Sequence, residues 1–189
     1  MAAGIDVPAH VESTRMQIDL LRQQLPGVGI EVGIPAGWSR QGEEHAQQVR
    51  FLAEPLEGYR SSIALSAGRL DPPTPAGFEA LIESVPGSLS ARQPDTEVVV
   101  VRRFAHHGLP ACVFRLRWTP DAPPPGADRI DTFEQLLVLI VLDPEQGRLI
   151  QIDATTIEPL AEAHLPLLHA IAETVRPLPQ TDDTEGDAS

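Results

Sequence analysis

The chain has 189 residues, enough for one domain, and an apolar content of 42% can fill a core although aromatics supply only 4%. Its 27 acidic residues outweigh 14 basic ones, all Arg, and the formal net charge of −13 excludes the cationic surface that nucleic acid or an anionic membrane requires. The single cysteine, Cys112, excludes an intrachain disulfide, and no run approaches the roughly 18 apolar residues of a membrane span.

In chain order, residues 1–11 read as a loose lead-in. Met16, Ile18, Leu20 and Leu21 suit a short helix over 13–25 that Pro26-Gly27 ends. Residues 28–34 then alternate as a strand, with Val28, Ile30, Val32 and Ile34 against Gly29, Glu31 and Gly33, and Pro35-Ala36-Gly37 closes it before Trp38. A second strand is expected over 47–54, with Val49, Phe51 and Ala53 on one face, and a third over 60–70 around Ile63 and Leu65. Phe78, Leu81, Ile82 and Val85 recur at i, i+3, i+4 and i+7, which predicts a helix over 75–85.

The second half is richer in strand signals. Four consecutive valines make 97–104 a poor helix and a good strand, and His106-His107-Gly108 reads as its turn. Residues 110–119 alternate, with Cys112, Phe114, Leu116 and Trp118 opposed to Val113, Arg115, Arg117 and Thr119. The prolines of 121–128 make that segment a loop. Residues 133–142 are apolar without period and are expected to be a central strand buried on both faces. The turn at 143–147 joins that strand to an alternating one over 148–156. Leu168, Ile171, Ala172 and Val175 form the stripe of a last helix, whose first turn Pro159 and Pro166 are expected to separate or kink. The resulting division is a lead-in with a short helix at 1–27, an α+β domain at 28–177, and an acidic, disordered tail at 178–189. Strands joined by short turns imply an antiparallel β-sheet flanked by helices.

The Ile34-Pro35-Ala36-Gly37-Trp38 stretch, the late hairpin and the closing helix resemble the PsbP-like superfamily over residues 29–177, nearest its LpqN/LpqT lipoprotein and DcrB-like branch. That resemblance implies a PsbP-like fold and a non-catalytic role as an accessory subunit, adaptor or chaperone for a protein partner. The lipoprotein members' attachment cysteine has no counterpart near the start of this sequence, so their envelope role is not the expectation here. No charged stretch leads into an apolar one there either, and a cytoplasmic location is expected.

No phosphate loop, HExxH, paired cysteines or nucleophile elbow occurs in the sequence, and no cofactor is expected. His106 and His107 are the sharpest titratable pair, and a hydrolase or metal-dependent activity would centre on them. They read more simply as a solvated turn. His164 and His169 fall on different faces of the last helix. Asp143, Glu145 and Asp153 cluster near the last hairpin, where the first two suit turn positions. Arg102 and Arg103 on one strand, with Arg115 and Arg117 on the next, form local basic contrast on an acidic chain. Guanidinium forks bind carboxylates, so these four are the expected partner-binding residues. The competing reading is a solvent face paired with the chain's own acids. Trp38 is read as a lid on the core, and Trp118 as core. The leading expectation is a non-catalytic adaptor or chaperone-like accessory. A binder of a small apolar or lipid-like molecule is the alternative, and a homodimer is compatible with either.

Overall fold

Strand periodicity dominates the architecture, and most elements follow the apolar pattern of their own segments. The computed structural model describes residues 19–43, 45–56, 58–93, 95–122 and 132–179. In chain order the elements are β1 (Leu20–Leu25), β2 (Ile30–Pro35), β3 (Ser39–Gln41), β4 (Gln48–Leu52), β5 (Ser62–Arg69), α1 (Pro75–Arg92), β6 (Glu97–His106), β7 (Leu109–Trp118), β8 (Phe133–Asp143), β9 (Arg148–Ile157), α2 (Glu158–Glu173) and β10 (Arg176–Pro177). Seven strands form one antiparallel sheet in the order β3-β4-β5-β9-β8-β7-β6, and β1-β2-β10 form a second, smaller one.

The seven-stranded sheet is the middle layer. On one face Val49, Phe51, Ile63, Leu65, Val113, Val138, Ile140 and Ile152 pack against Ile30, Val32 and Ile34 of β2 and against Leu168 and Ile171 of α2. On the other face Cys112, Phe114, Leu116, Leu137, Leu139 and Val141 meet Phe78, Ile82 and Val85 of α1. Strand β8 therefore contributes to both cores, as its unbroken apolar run predicts.

Three expected elements differ from the sequence reading, and the short strands β3 and β10 have no counterpart in it. Residues 20–25 of the expected N-terminal helix form strand β1, paired antiparallel with β2 from Leu20↔Pro35 to Leu25↔Ile30. The Pro26-Gly27 signal read as a helix stop is instead the hairpin turn, closed by Gly29 N–H to Leu25 O at 2.8 Å with Gly29 at φ 77°. The boundary at residue 27 thus falls within this hairpin. Helix α1 runs past Val85 and Pro86 to Arg92, because Leu89 continues to pack on the α1-side core. Its start is as expected, with Pro75 in the first turn and the Thr74 hydroxyl accepting from Gly77 N–H at 3.1 Å. Helix α2 is one element through Pro166, not a separated first turn. The expected tail from residue 180 and the Pro-rich loop from residue 123 lie outside the described residues.

Phe114 is fully buried between α1 and the sheet. Phe114→Ala is expected to lower stability by about 3–5 kcal/mol through lost burial and an uncollapsed cavity, as urea unfolding will show.

Candidate functional site

The four arginines singled out by the sequence sit on the β6–β7 hairpin, whose turn residues His107 (φ 50°) and Gly108 (φ 84°) both take left-handed conformations. They do not form one basic patch. Arg103 faces α1 and grips Glu79, with Nε 2.9 Å and Nη2 2.7 Å from Oε2. Arg115 and Arg117 face the other way and share Glu134 of β8. Arg115 Nε donates to Oε2 at 2.9 Å, and Arg117 Nε and Nη2 donate to Oε1 at 2.9 and 2.7 Å. Only 1% of the Glu134 side chain is exposed, against 37% and 39% for its two partners. Burial pushes the Glu134 carboxyl up, but the hydrogen bonds and charges of Arg115 and Arg117 outweigh it and hold the group below the usual carboxylate range. Three of the four arginines are therefore engaged with the chain's own acids. Arg102 remains exposed, its guanidinium 5.9 Å from the Phe104 ring centroid.

The histidines serve the fold. His106 is buried and its Nε2 donates to Val175 O at 2.7 Å, while His107 Nε2 lies 3.3 Å from Glu173 O. Both contacts tie the β6–β7 turn to the end of α2. Burial holds the His106 pKa below the ordinary imidazole value. His164 Nδ1 meets the buried Ser61 hydroxyl, which also lies 2.8 Å from Thr156 Oγ1, so this trio joins β9, α2 and the entry to β5. Among the described residues, no cluster of three or more His, Cys, Asp or Glu has the geometry to hold a metal ion.

The acidic set also divides. Asp143 Oδ1 accepts from the N–H groups of Glu145 at 3.0 Å and Gln146 at 2.9 Å, a turn role. Asp153 lies further along β9, on the face that α1 leaves uncovered. There β4 presents Gln48 and Arg50, β5 presents Ser62, Ala64 and Ser66, and β9 presents Gln151, Asp153 and Thr155. With Trp118, Gln135, Leu89, Arg92 and Gln93 they line an open groove of about 280 Å³. Asp153 accepts from Gln135 Nε2 at 2.8 Å and from Thr155 Oγ1 at 3.4 Å. Burial pushes its carboxyl pKa up, against the opposing hydrogen bonds and the charge of Arg50. Beside the groove, Trp118 stacks on Phe133 with centroids 4.3 Å apart. Trp38 packs against the other core, as a lid.

The sequence reading missed this groove. Period-2 alternation identifies the outward residues of each strand, but the adjacency of β5 and β9 is a long-range pairing that no local signal carries.

No family model matches the sequence, and no curated protein is significantly similar to it. Solved structures do resemble it. Cyanobacterial PsbP (CyanoP) of Synechocystis sp. PCC 6803 superposes with a TM-score of 0.56 at 14% identity, over 94% of this chain and 97% of that one. The fold is PsbP-like. LpqN of Mycobacterium tuberculosis, described as involved in cell envelope biogenesis, shares that PsbP-like arrangement with a TM-score of 0.55 at 15% identity, over 79% of this chain and 83% of its own. The Ran-binding protein Mog1p of Saccharomyces cerevisiae does so with 0.55 at 12%, over 85% and 96%.

Two outcomes follow from these contacts. Arg117→Ala strips Glu134 Oε1 of both its charged donors. It is expected to lower stability, by less than the loss of a fully dry pair because the guanidiniums reach solvent. Arg117→Lys should recover part of that loss, as compared by denaturant melts. Asp153, with its folded pKa raised above the ordinary value of 3.8, binds more protons folded than unfolded, so it removes stability as pH climbs above 3.8. Asp153→Asn should therefore raise the melting temperature at neutral pH by a few degrees. It should also flatten that decline, as thermal melts between about pH 4 and pH 7 will show.

Proposed function

We propose that this chain is a non-catalytic accessory protein, an adaptor or chaperone-like holder, that receives an extended polar segment of a protein partner in the groove over β4, β5 and β9. The observation that carries the reading is the placement of small and hydrogen-bonding side chains on one face of three adjacent strands, which the described residues leave open except for the last turn of α1 at Leu89 and Arg92. Gln48, Ser62, Ser66, Gln151 and Thr155 can each donate and accept, so together they suit peptide groups of either polarity. Arg50 and Arg92 offer forks to a carboxylate, and Asp153 offers an acceptor to a basic or amide group. A Ran-binding protein among the similar structures supports a protein as the partner class. The polar lining favours a peptide over the alternative of a small apolar or lipid-like ligand. An enzyme centred on His106 and His107 gains little support, because the rings meet the carbonyls of Val175, just past α2, and of Glu173, its last residue.

Arg115→Glu or Arg117→Glu would set two carboxylates against each other beside buried Glu134 and disturb the fold itself. Ser66→Arg instead fills the groove from its floor. Tagged wild-type protein should retain a near-stoichiometric partner from lysate of the source cells, and Ser66→Arg should reduce that capture at least about tenfold with an unchanged melting temperature. Undiminished capture by folded Ser66→Arg would overturn the groove assignment.

A further inference from the structure

Strand β6 is the outermost strand of the seven-stranded sheet and is ten residues long. An outermost strand of that length offers unpaired N–H and C=O groups, and proteins blunt such an edge with charged side chains, proline, a bulge or brevity. The opposite edge, β3, has three residues. Strand β6 has no proline, its charges Glu97, Arg102 and Arg103 stand at either side of an uncharged middle, and it exposes Val99, Val100 and Val101 by 37%, 44% and 41%. Among the described residues, these three stand with only Leu21 and Leu56 as exposed large apolar side chains.

The charges on this edge have a definite order. Glu97 stands before the valines and Arg102 after them. A β-bulge between Val98 and Val100 inserts one extra residue. Glu97, Val100 and Arg102 therefore face Arg117, Arg115 and Val113 of β7, which all lie on one side of the sheet. Without the bulge, Glu97 and Arg102 would point to opposite sides. With it, the segment becomes complementary to its own reverse: acid, valine, valine on the two-fold, valine, base, with the bulged Val99 left over.

We propose that a second copy of this chain pairs antiparallel along β6, about a two-fold axis at Val100, joining the two sheets into one. In that register Glu97 of each copy faces Arg102 of the other, Val98 faces Val101, and Val100 faces Val100. Arg102 is the one hairpin arginine for which the fold supplies no ion-pair partner among the described residues, and the second copy supplies it. A parallel arrangement in register would set Glu97 against Glu97 and Arg102 against Arg102, so charge selects the antiparallel form. The groove over β4, β5 and β9 lies toward the far side of the sheet and stays open in the dimer.

Sedimentation equilibrium of the full chain tests this directly. Wild type should show twice the 20.4 kDa chain mass at micromolar concentration. Val100→Lys places like charges face to face on the axis and should weaken the dimer at least about a hundredfold, with an unchanged far-ultraviolet spectrum and a melting temperature that no longer rises with protein concentration. Glu97→Arg should also dissociate it, and Glu97→Arg combined with Arg102→Glu should restore it. A monomeric wild type overturns the proposal. So does a dimer that survives folded Val100→Lys, or a double swap that fails to restore what the single swap breaks. Binding of a different protein along β6 by a monomer would appear as a monomeric wild type, and counts against it.

Discussion

Strand β8 has no polar face, and that constraint organises the molecule. Leu136, Val138, Ile140 and Leu142 point into one core and Leu137, Leu139 and Val141 into the other, so β8 has to be interior to a sheet and covered on both sides. Strands β7 and β9 flank it within the sheet, while α2 with the small sheet covers one face and α1 the other. The one carboxylate on β8 that faces α2, Glu134, survives there because two guanidiniums come with it. Coverage stops where apolar demand stops. Over β4, β5 and the middle of β9 the α1-side residues are polar or small, among the described residues only the last turn of α1 reaches them, and the groove results.

Much of this was legible from local pattern. The valines of β6, the alternation of β7, the double-sided run of β8 and the Asp143–Gly147 turn are short-range signals, and each element formed where its signal lies. The failures were elements that tertiary contacts decide. Residues 20–25 carry helix-compatible spacing, yet β2 offers an edge that a strand satisfies better, and Leu25 becomes fully buried in that pairing. Pro86 signals the end of α1, yet Leu89 still has apolar surface to cover. Each time, a non-local contact outweighed a propensity worth about 1 kcal/mol or a few.

The candidate site was less legible for the same reason. Arginine content identified a basic hairpin, but pairing depends on which acids fold back onto it. Glu79 on α1 and Glu134 on β8 are 24 and 17 residues from the arginines they bind, and only the folded sheet brings them together. Asp153 looked like part of an acidic turn because it is close to Asp143 in sequence. In the fold it belongs with Gln135 and Arg50, across strands. Its raised pKa marks it as a group held at some expense to stability, which is common where a surface serves binding.

The β5–β9 junction bears on how the chain is made. Strands β6 to β9 form a meander of neighbours that can pair as soon as they exist. Strand β5 has its inner partner only at the far end of the sequence, and the buried Ser61–Thr156 contact beside that junction spans 95 residues. During synthesis from the N-terminus, β2, β4 and β5 emerge well before β9 and α2, which complete the cover of their apolar side chains. The first half of the chain is therefore the part whose apolar surface waits longest for the elements that complete its core.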